Sequence, residues 1–200
     1  MNDTELLNPF FNYLNKFSTL SEEEFLQVAR YIHIRKCVKQ EIITKKGDIE
    51  NYIYFILKGL IRKYYIKYKQ EHNVQISYEG HLIHSQESFH SRKPSKCYIE
   101  TIEPSTLVAI HYDDLERLYE SSRKLEHLGR LIITYTMVLK DSWKDQLIEL
   151  SSKERFLNFV NKHPEMLQRV PQKFLASYLN MSPETFSRFK HIISHKKKLS

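Results

Sequence analysis

Along this chain the spacing of apolar positions changes twice, from steps of three and four to short β-rich runs and back again. Residues 4–15 and 21–33 carry the first helical pattern. Ser21 followed by Glu22, Glu23 and Glu24 makes a capping box, because Glu24 answers the orphan amide at the cap. Phe25, Val28, Ala29 and Ile32 then share one helical face. From Ile34 to Ile110 the chain breaks into β-branched and aromatic runs at 42–44, 52–57, 60–66, 74–78, 98–102 and 106–110, separated by turns such as Lys46-Gly47-Asp48 and Lys58-Gly59. Many short strands at this spacing predict an antiparallel barrel or jelly roll.

After Tyr112-Asp113-Asp114 the helical pattern returns and holds to Leu150. Within it Leu125, Leu128, Ile132, Tyr135 and Leu139 alternate steps of three and four, the a/d seam of a helix packed along a partner. The seam suits packing on the chain's own barrel or pairing with a second copy, and pairing is the expectation adopted. Ser121-Ser122 and Gly129 allow a break near its start. A further helix over 152–162 stops at His163-Pro164, since proline disfavours helix in the residue before it.

Pro171 opens the next helix, where its missing amide costs nothing. Phe174, Leu175, Tyr178 and Leu179 form its apolar face, and Ala176 is small enough for close approach of a second helix. Asn180 suits a left-handed turn. Ser182 then serves as cap, Pro183 as first helical residue and Glu184 as counter to the dipole. Phe186, Phe189 and Ile193 are expected to face inward, and Pro183, Glu184, Ser187, Arg188 and His191 outward.

Charge singles out this end. The chain carries 31 Lys and Arg against 24 Asp and Glu, a net +7. Residues 151–200 hold ten of the basic residues and three acids, so the whole excess lies there and residues 1–150 balance at 21 of each sign. A neutral body with a basic end implies a polyanion partner for that end. A solvated lysine-rich terminus is the plainer alternative, and the adjoining helix pair tips the balance towards double-stranded DNA. An arginine can pair bidentately with guanine and a glutamate can accept from cytosine, while lysines and hydroxyls fix register on phosphates. The candidate DNA contacts are Lys173, Ser182, Pro183, Glu184, Thr185, Ser187, Arg188, Lys190, His191, Lys196, Lys197 and Lys198.

Other classes find little support. No apolar run approaches the roughly 20 residues that span a bilayer, and Met1-Asn2-Asp3-Thr4-Glu5 lacks the basic start of a signal peptide. A cytoplasmic protein without membrane contact is expected. Cys37 and Cys97 are too few for a disulfide framework or a four-thiolate cluster. His81, His84 and His90 lie near Glu79 and Glu87, but on an extended strand His81 and His84 point to opposite faces. No metal site and no cofactor are expected. Neither a Ser/His/Asp order, a phosphate-cradling glycine loop nor a metalloprotease helix is present, so the chain is not expected to be an enzyme.

The stretch from Pro171 to Arg188 resembles the helix-turn-helix of the Crp/Fnr family of bacterial transcription regulators. Glu184-Thr185-Phe186-Ser187-Arg188 matches that family's recognition-helix pattern of Glu, Thr, an apolar residue, a small residue and Arg. Tyr54-Phe55-Ile56-Leu57-Lys58-Gly59-Leu60-Ile61-Arg62 resembles a strand–turn–strand motif of the cyclic-nucleotide-binding barrel. The resemblance implies an α+β fold, with a jelly-roll sensor barrel and flanking helices over residues 1–120. It further implies a long dimerisation helix over 121–150 and a helix-turn-helix domain over 151–200. Glu184 and Arg188 would contact bases, and a homodimer would read an approximate palindrome. RNA polymerase is a further partner the resemblance suggests. One departure concerns the segment after the recognition helix, His195–Ser200, where the family's usual strand hairpin is not expected and the basic tail is expected to serve for backbone contact instead.

By the same resemblance a nucleotide site would fall between Gly80 and Tyr98, and Glu87, Ser88, Arg92, Ser95 and Lys96 are the candidate effector residues. Glu87 lacks the family's preceding glycine, and Ser95 stands where arginine belongs. An effector other than cyclic AMP, or none, is therefore expected. The alternative function is a cyclic-nucleotide sensor that acts through a protein partner.

Overall fold

The computed structural model describes residues 3–196. Two helices, α1 (Asp3–Asn15) and α2 (Glu22–Ala29), precede the strands β1 (Ile32–Cys37), β2 (Ile42–Thr44), β3 (Tyr52–Lys58), β4 (Ile61–Lys67), β5 (Gln70–Ser77) and β6 (Leu82–Ile83). Helix α3 (Gln86–Ser91) leads into β7 (Tyr98–Thr101) and β8 (Ser105–His111). Six helices follow: α4 (Tyr112–Ser121), α5 (Arg123–Glu149), α6 (Ser152–Lys162), α7 (Met166–Arg169), α8 (Gln172–Tyr178) and α9 (Pro183–Lys196). The chain forms two compact units. The first contains residues to Tyr65 with Ile76–Thr136, and the second contains Ile66–Gln75 with residues from Met137. The division falls inside α5, and the β4–β5 tip groups with the C-terminal helices.

In the first unit, the expected antiparallel barrel or jelly roll takes the form of two four-stranded antiparallel sheets, ordered β1-β8-β3-β6 and β2-β7-β4-β5, and not of a closed barrel. Strands as short as β2, with three residues, and β6, with two, offer too few backbone groups to close the ladder. The Lys58-Gly59 turn carries the chain from the first sheet into the second. Cys37, Tyr54, Ile56, Ile61, Ile99 and Leu107 fill the space between the sheets. Side chains alternate along a strand, so Phe55 and Val108 face the other way, onto α1, α2, α4 and the start of α5. Phe55 lies 5.2 Å from the ring of Phe10 and 5.0 Å from that of Tyr13.

Two local readings change. Residues 32–33 belong to β1 rather than to the second helix, because Ile32 pairs with Ile110 across the sheet. The seam on α5 is divided: Leu125 and Leu128 are 2% and 4% exposed within the chain's own core, whereas Tyr135 and Leu139 are 46% and 48% exposed. Leu125 and Leu128 are therefore core residues and not a dimer surface, since they cover the outer face of the β1-β8-β3-β6 sheet. The break expected near Ser121-Ser122 occurs, with Ser122 extended at φ −156°. Gly129 does not interrupt α5; it lets the phenol of Tyr119 lie against the helix, where a Cβ would come within 2.1 Å of the hydroxyl.

In the second unit, Phe156, Val160, Met166, Val170, Leu175, Leu179 and Phe186 are buried. Ser151 and Glu154 close a capping box at the start of α6, and the Ser151 hydroxyl and amide hold the Glu154 carboxyl below its usual range.

Candidate nucleic-acid interface

The connection between α8 and α9 follows from four residues. Ala176 is fully buried and its carbonyl accepts from the Met181 amide at 3.0 Å, while Asn180 takes the left-handed conformation at φ 53°. Ser182 caps α9 by accepting from the Thr185 amide at 3.2 Å. Pro171 sits at the cap of α8, one place before the first helical residue. Phe186 meets Phe156 edge-to-face at 5.1 Å and 87°, which fixes the rotation of α9 about its axis.

That rotation leaves Ser182, Pro183, Glu184, Arg188, Lys190 and His191 exposed, with Thr185 and Ser187 half-buried beside them. Lys173 of α8 is exposed and its ammonium lies 4.9 Å from the Phe174 ring. The Glu184 carboxyl is held below its usual range by its own backbone amide and by Ser182, so it is an anion and an acceptor at neutral pH. Ile193 and the side chains of Lys196, Lys197 and Lys198 lie outside the described side chains.

Arg155 is a residue that charge counting misread. It is only 7% exposed, so it adds nothing to the surface charge. Its Nε donates to the Leu179 carbonyl at 3.0 Å, Nη1 to the Leu150 carbonyl at 2.5 Å, and Nη2 to the Asn180 carbonyl and the Ser152 hydroxyl at 3.2 Å each. One guanidinium thereby ties the end of α5 and the start of α6 to the α8–α9 turn. Ser177 was missed as well: it accepts from the Asn73 amide at 2.9 Å and donates to the Glu71 carbonyl at 3.3 Å, fastening the β4–β5 tip to α8. Trp143 stacks on Tyr178 at 4.4 Å and 5°. No sequence pattern marks these contacts, which join residues far apart in the chain.

In the first unit the candidate effector residues bond to nearby backbone or to each other. Ser88 accepts from the Glu50 amide and donates to the Lys93 carbonyl, and Ser95 donates to the Cys97 carbonyl at 3.0 Å. Arg92 turns onto the Glu50 carbonyl at 2.8 Å and lies 4.1 Å from the Tyr112 ring. Lys96 and Glu87 form an exposed ion pair. Among the histidines, His81 packs on Tyr78 at 4.0 Å and His84 on His90 at 5.8 Å, so they belong to different clusters.

These two sheets with their connecting α3 are the observation that decides the fold. Residues 34–122 match the family model of the cyclic nucleotide-binding domain. Solved structures extend the likeness over most of the chain. The Catabolite Activator Protein of Thermus thermophilus is 20% identical over 92% of this chain and 88% of that one, with a TM-score of 0.56. The c-di-GMP responsive global regulator CLP of Xanthomonas campestris is 15% identical over 88% and 93%, with a TM-score of 0.68. FixK2 of Bradyrhizobium japonicum is 14% identical over 83% and 86%, with a TM-score of 0.70. A comparison with curated proteins returns no match. The chain is thus similar to cyclic-nucleotide-binding-domain regulators in fold, and no helix among the described residues is long and apolar enough to cross a membrane.

Within the cyclic-nucleotide-binding-like segment a buried carboxyl, Glu50, takes up buried donors. It is 3% exposed and accepts from the Thr44 hydroxyl at 2.7 Å and from the Ser85 and Tyr52 amides at 3.2 Å each. Burial outweighs these bonds and raises its pKa. A carboxyl whose folded pKa lies above its unfolded value binds protons more readily when folded, so its contribution declines as pH rises from the unfolded value of about 4.3. Chemical denaturation of the Glu50→Gln variant beside the parent chain, from pH 4 to 7, should show the stability difference shifting in favour of glutamine with rising pH. A constant difference across that range would remove Glu50 as the titrating group.

Proposed function

We propose that the protein is a dimeric, sequence-specific DNA-binding transcription regulator of the Crp/Fnr type, with α8 and α9 as its helix-turn-helix and α9 as the recognition helix. The supporting observation is the exposed edge of α9, where Glu184 and Arg188 stand one helical turn apart, opposite the Phe186 face that anchors the helix. Residues one turn apart on one face reach neighbouring base edges in a major groove. Lys173 and Lys190 flank that edge as phosphate contacts. Dimerisation is assigned to the later part of α5, where Tyr135, Met137, Val138 and Leu139 expose apolar surface. Two recognition helices on such a dimer would read half-sites about one helical turn of DNA apart. Ser95, with its hydroxyl committed inside the segment, offers no charge to a nucleotide phosphate, which supports an effector other than cyclic AMP.

In vitro selection from random duplexes should return an approximate palindrome. Anisotropy on the selected site should then show Arg188→Ala losing about 1–3 kcal/mol at one base position and relaxing preference there. Lys190→Ala should weaken all sequences alike and reduce the salt slope by about one. Equal, sequence-independent losses for both variants would remove Arg188 as a base reader. The match of residues 34–122 to the cyclic nucleotide-binding domain supports a second reading, a nucleotide sensor acting through a protein partner. Saturable nucleotide binding without salt-dependent DNA affinity would favour it.

A further inference from the structure

One unexplained feature of the first unit is a partly open cavity of about 100 Å³. It lies on the side of the β1-β8-β3-β6 sheet that faces the helices, with His84, Gln86 and His90 at one wall. Its walls are almost wholly apolar: Leu14 of α1, Ile53 and Ile110 of the sheet, Leu118 of α4, and Leu128 and Ile132 of α5 are among them. Close packing is the rule inside proteins, and a void larger than a water molecule forfeits contacts on every wall. Water gains little here, because a buried water needs two to four polar partners. An apolar cavity of comparable size, roughly 150 Å³, stays dry and takes up benzene or xenon.

We infer that this cavity is a binding site for a small uncharged apolar molecule, or for the apolar end of a larger one, of about the size of a five- or six-membered carbon ring. The lining disfavours charge: apart from His84, Gln86 and His90 at one side, the walls are apolar, so a carboxylate or phosphate placed there would lose most of its hydration. The Tyr119 phenol at the wall has its pKa pushed up to about 12 by burial, so it stays neutral and brings no countercharge. The cavity also explains the divided seam on α5. Leu125, Leu128, Gly129, Ile132, Ile133 and Thr136 all line it, a single stripe of the helix at steps of three and four. An occupant would touch the whole of that stripe, and the helix continues beyond it to Glu149. The site therefore bears on the element whose later residues are exposed, which is where a ligand would act on an equilibrium between arrangements.

The test uses the full chain and needs no DNA, so it is independent of the DNA-binding reading. Toluene, benzoate and cyclic AMP are titrated while thermal unfolding and methyl NMR shifts are followed. Toluene should raise the midpoint saturably and move resonances of Leu118, Leu128 and Ile132, and benzoate should bind at least about tenfold more weakly because its charge is desolvated. Leu118→Phe, which fills the cavity, should keep the fold and abolish the toluene response; Ile132→Phe serves the same purpose should the first variant not fold. Absence of a saturable toluene response, equal binding of benzoate, or a response that survives in a folded cavity-filling variant would each overturn the assignment.

Discussion

Replacing Arg155 by alanine is expected to remove about 3–5 kcal/mol from the second unit, the cost of taking one partner out of a buried, charged hydrogen-bond network. The guanidinium donates to carbonyls at Leu150, Leu179 and Asn180, and nothing in an alanine side chain replaces those bonds. The Leu150 carbonyl lies just past the end of α5, where the helix has no donors of its own, so a cation there also answers the negative end of its dipole. Lysine at this position should rescue little, because a single ammonium cannot serve the directions the planar fork serves. Trp143, the only tryptophan, stacks on Tyr178 in the same unit and reports its unfolding directly. Urea denaturation followed by its fluorescence should show the midpoint collapse in Arg155→Ala. A shift under about 1 kcal/mol, within the range of an ordinary surface substitution or a little above it, would show that the clamp is dispensable.

The second large effect is expected at Gly59. Its φ of +113° lies in the region that side chains avoid, and an added Cβ would stand 2.2 Å from the Ser105 hydroxyl and 2.7 Å from the Ser105 Cα. The hydroxyl could rotate away, but the Cα belongs to the start of β8 and cannot. Backbone strain and overpacking together put Gly59→Ala at about 3 kcal/mol or more. Gly47 provides an internal control, since its φ is +100° but nothing lies within 4 Å of its virtual Cβ. Gly47→Ala should carry the conformational cost alone, about 1–2 kcal/mol. Thermal unfolding of the two variants separates the contributions, and equal losses would show that the approach of Ser105 is not what demands glycine at 59.

These residues also show which parts of the molecule could be read in advance. The capping boxes at Ser21 and Ser151 and the cap at Ser182 are local, because each is an i to i+3 relation written within one turn. The α8–α9 pair was legible for the same reason: cap, first-turn proline and left-handed asparagine all act within a few residues. The exposed edge of α9 followed from the position of Phe186, a matter of helical period alone. The seam on α5 was visible as a pattern, but its partner was not, since an a/d stripe is equally content against its own sheet or a second helix. The strand runs suited a barrel or a two-sheet jelly roll alike, because strand number is easier to count than strand length, and ladder closure depends on both. The burial of Arg155 was not visible in the charge count, because composition carries no information about burial.

What the amino-acid order determined by itself was the broad succession of helical, strand-rich and helical segments, several caps and turns, and the basic balance of the last fifty residues. Those properties depend on backbone preference and periodicity over one or two turns, so neighbours in the chain suffice. Tertiary structure alone decided that Arg155 is a buried clamp, that Leu125 and Leu128 are core, that the β4–β5 tip bonds to Ser177, and that an apolar cavity lies beneath α5. Each depends on which distant surfaces meet, and burial is a property of the assembled packing that no single segment specifies.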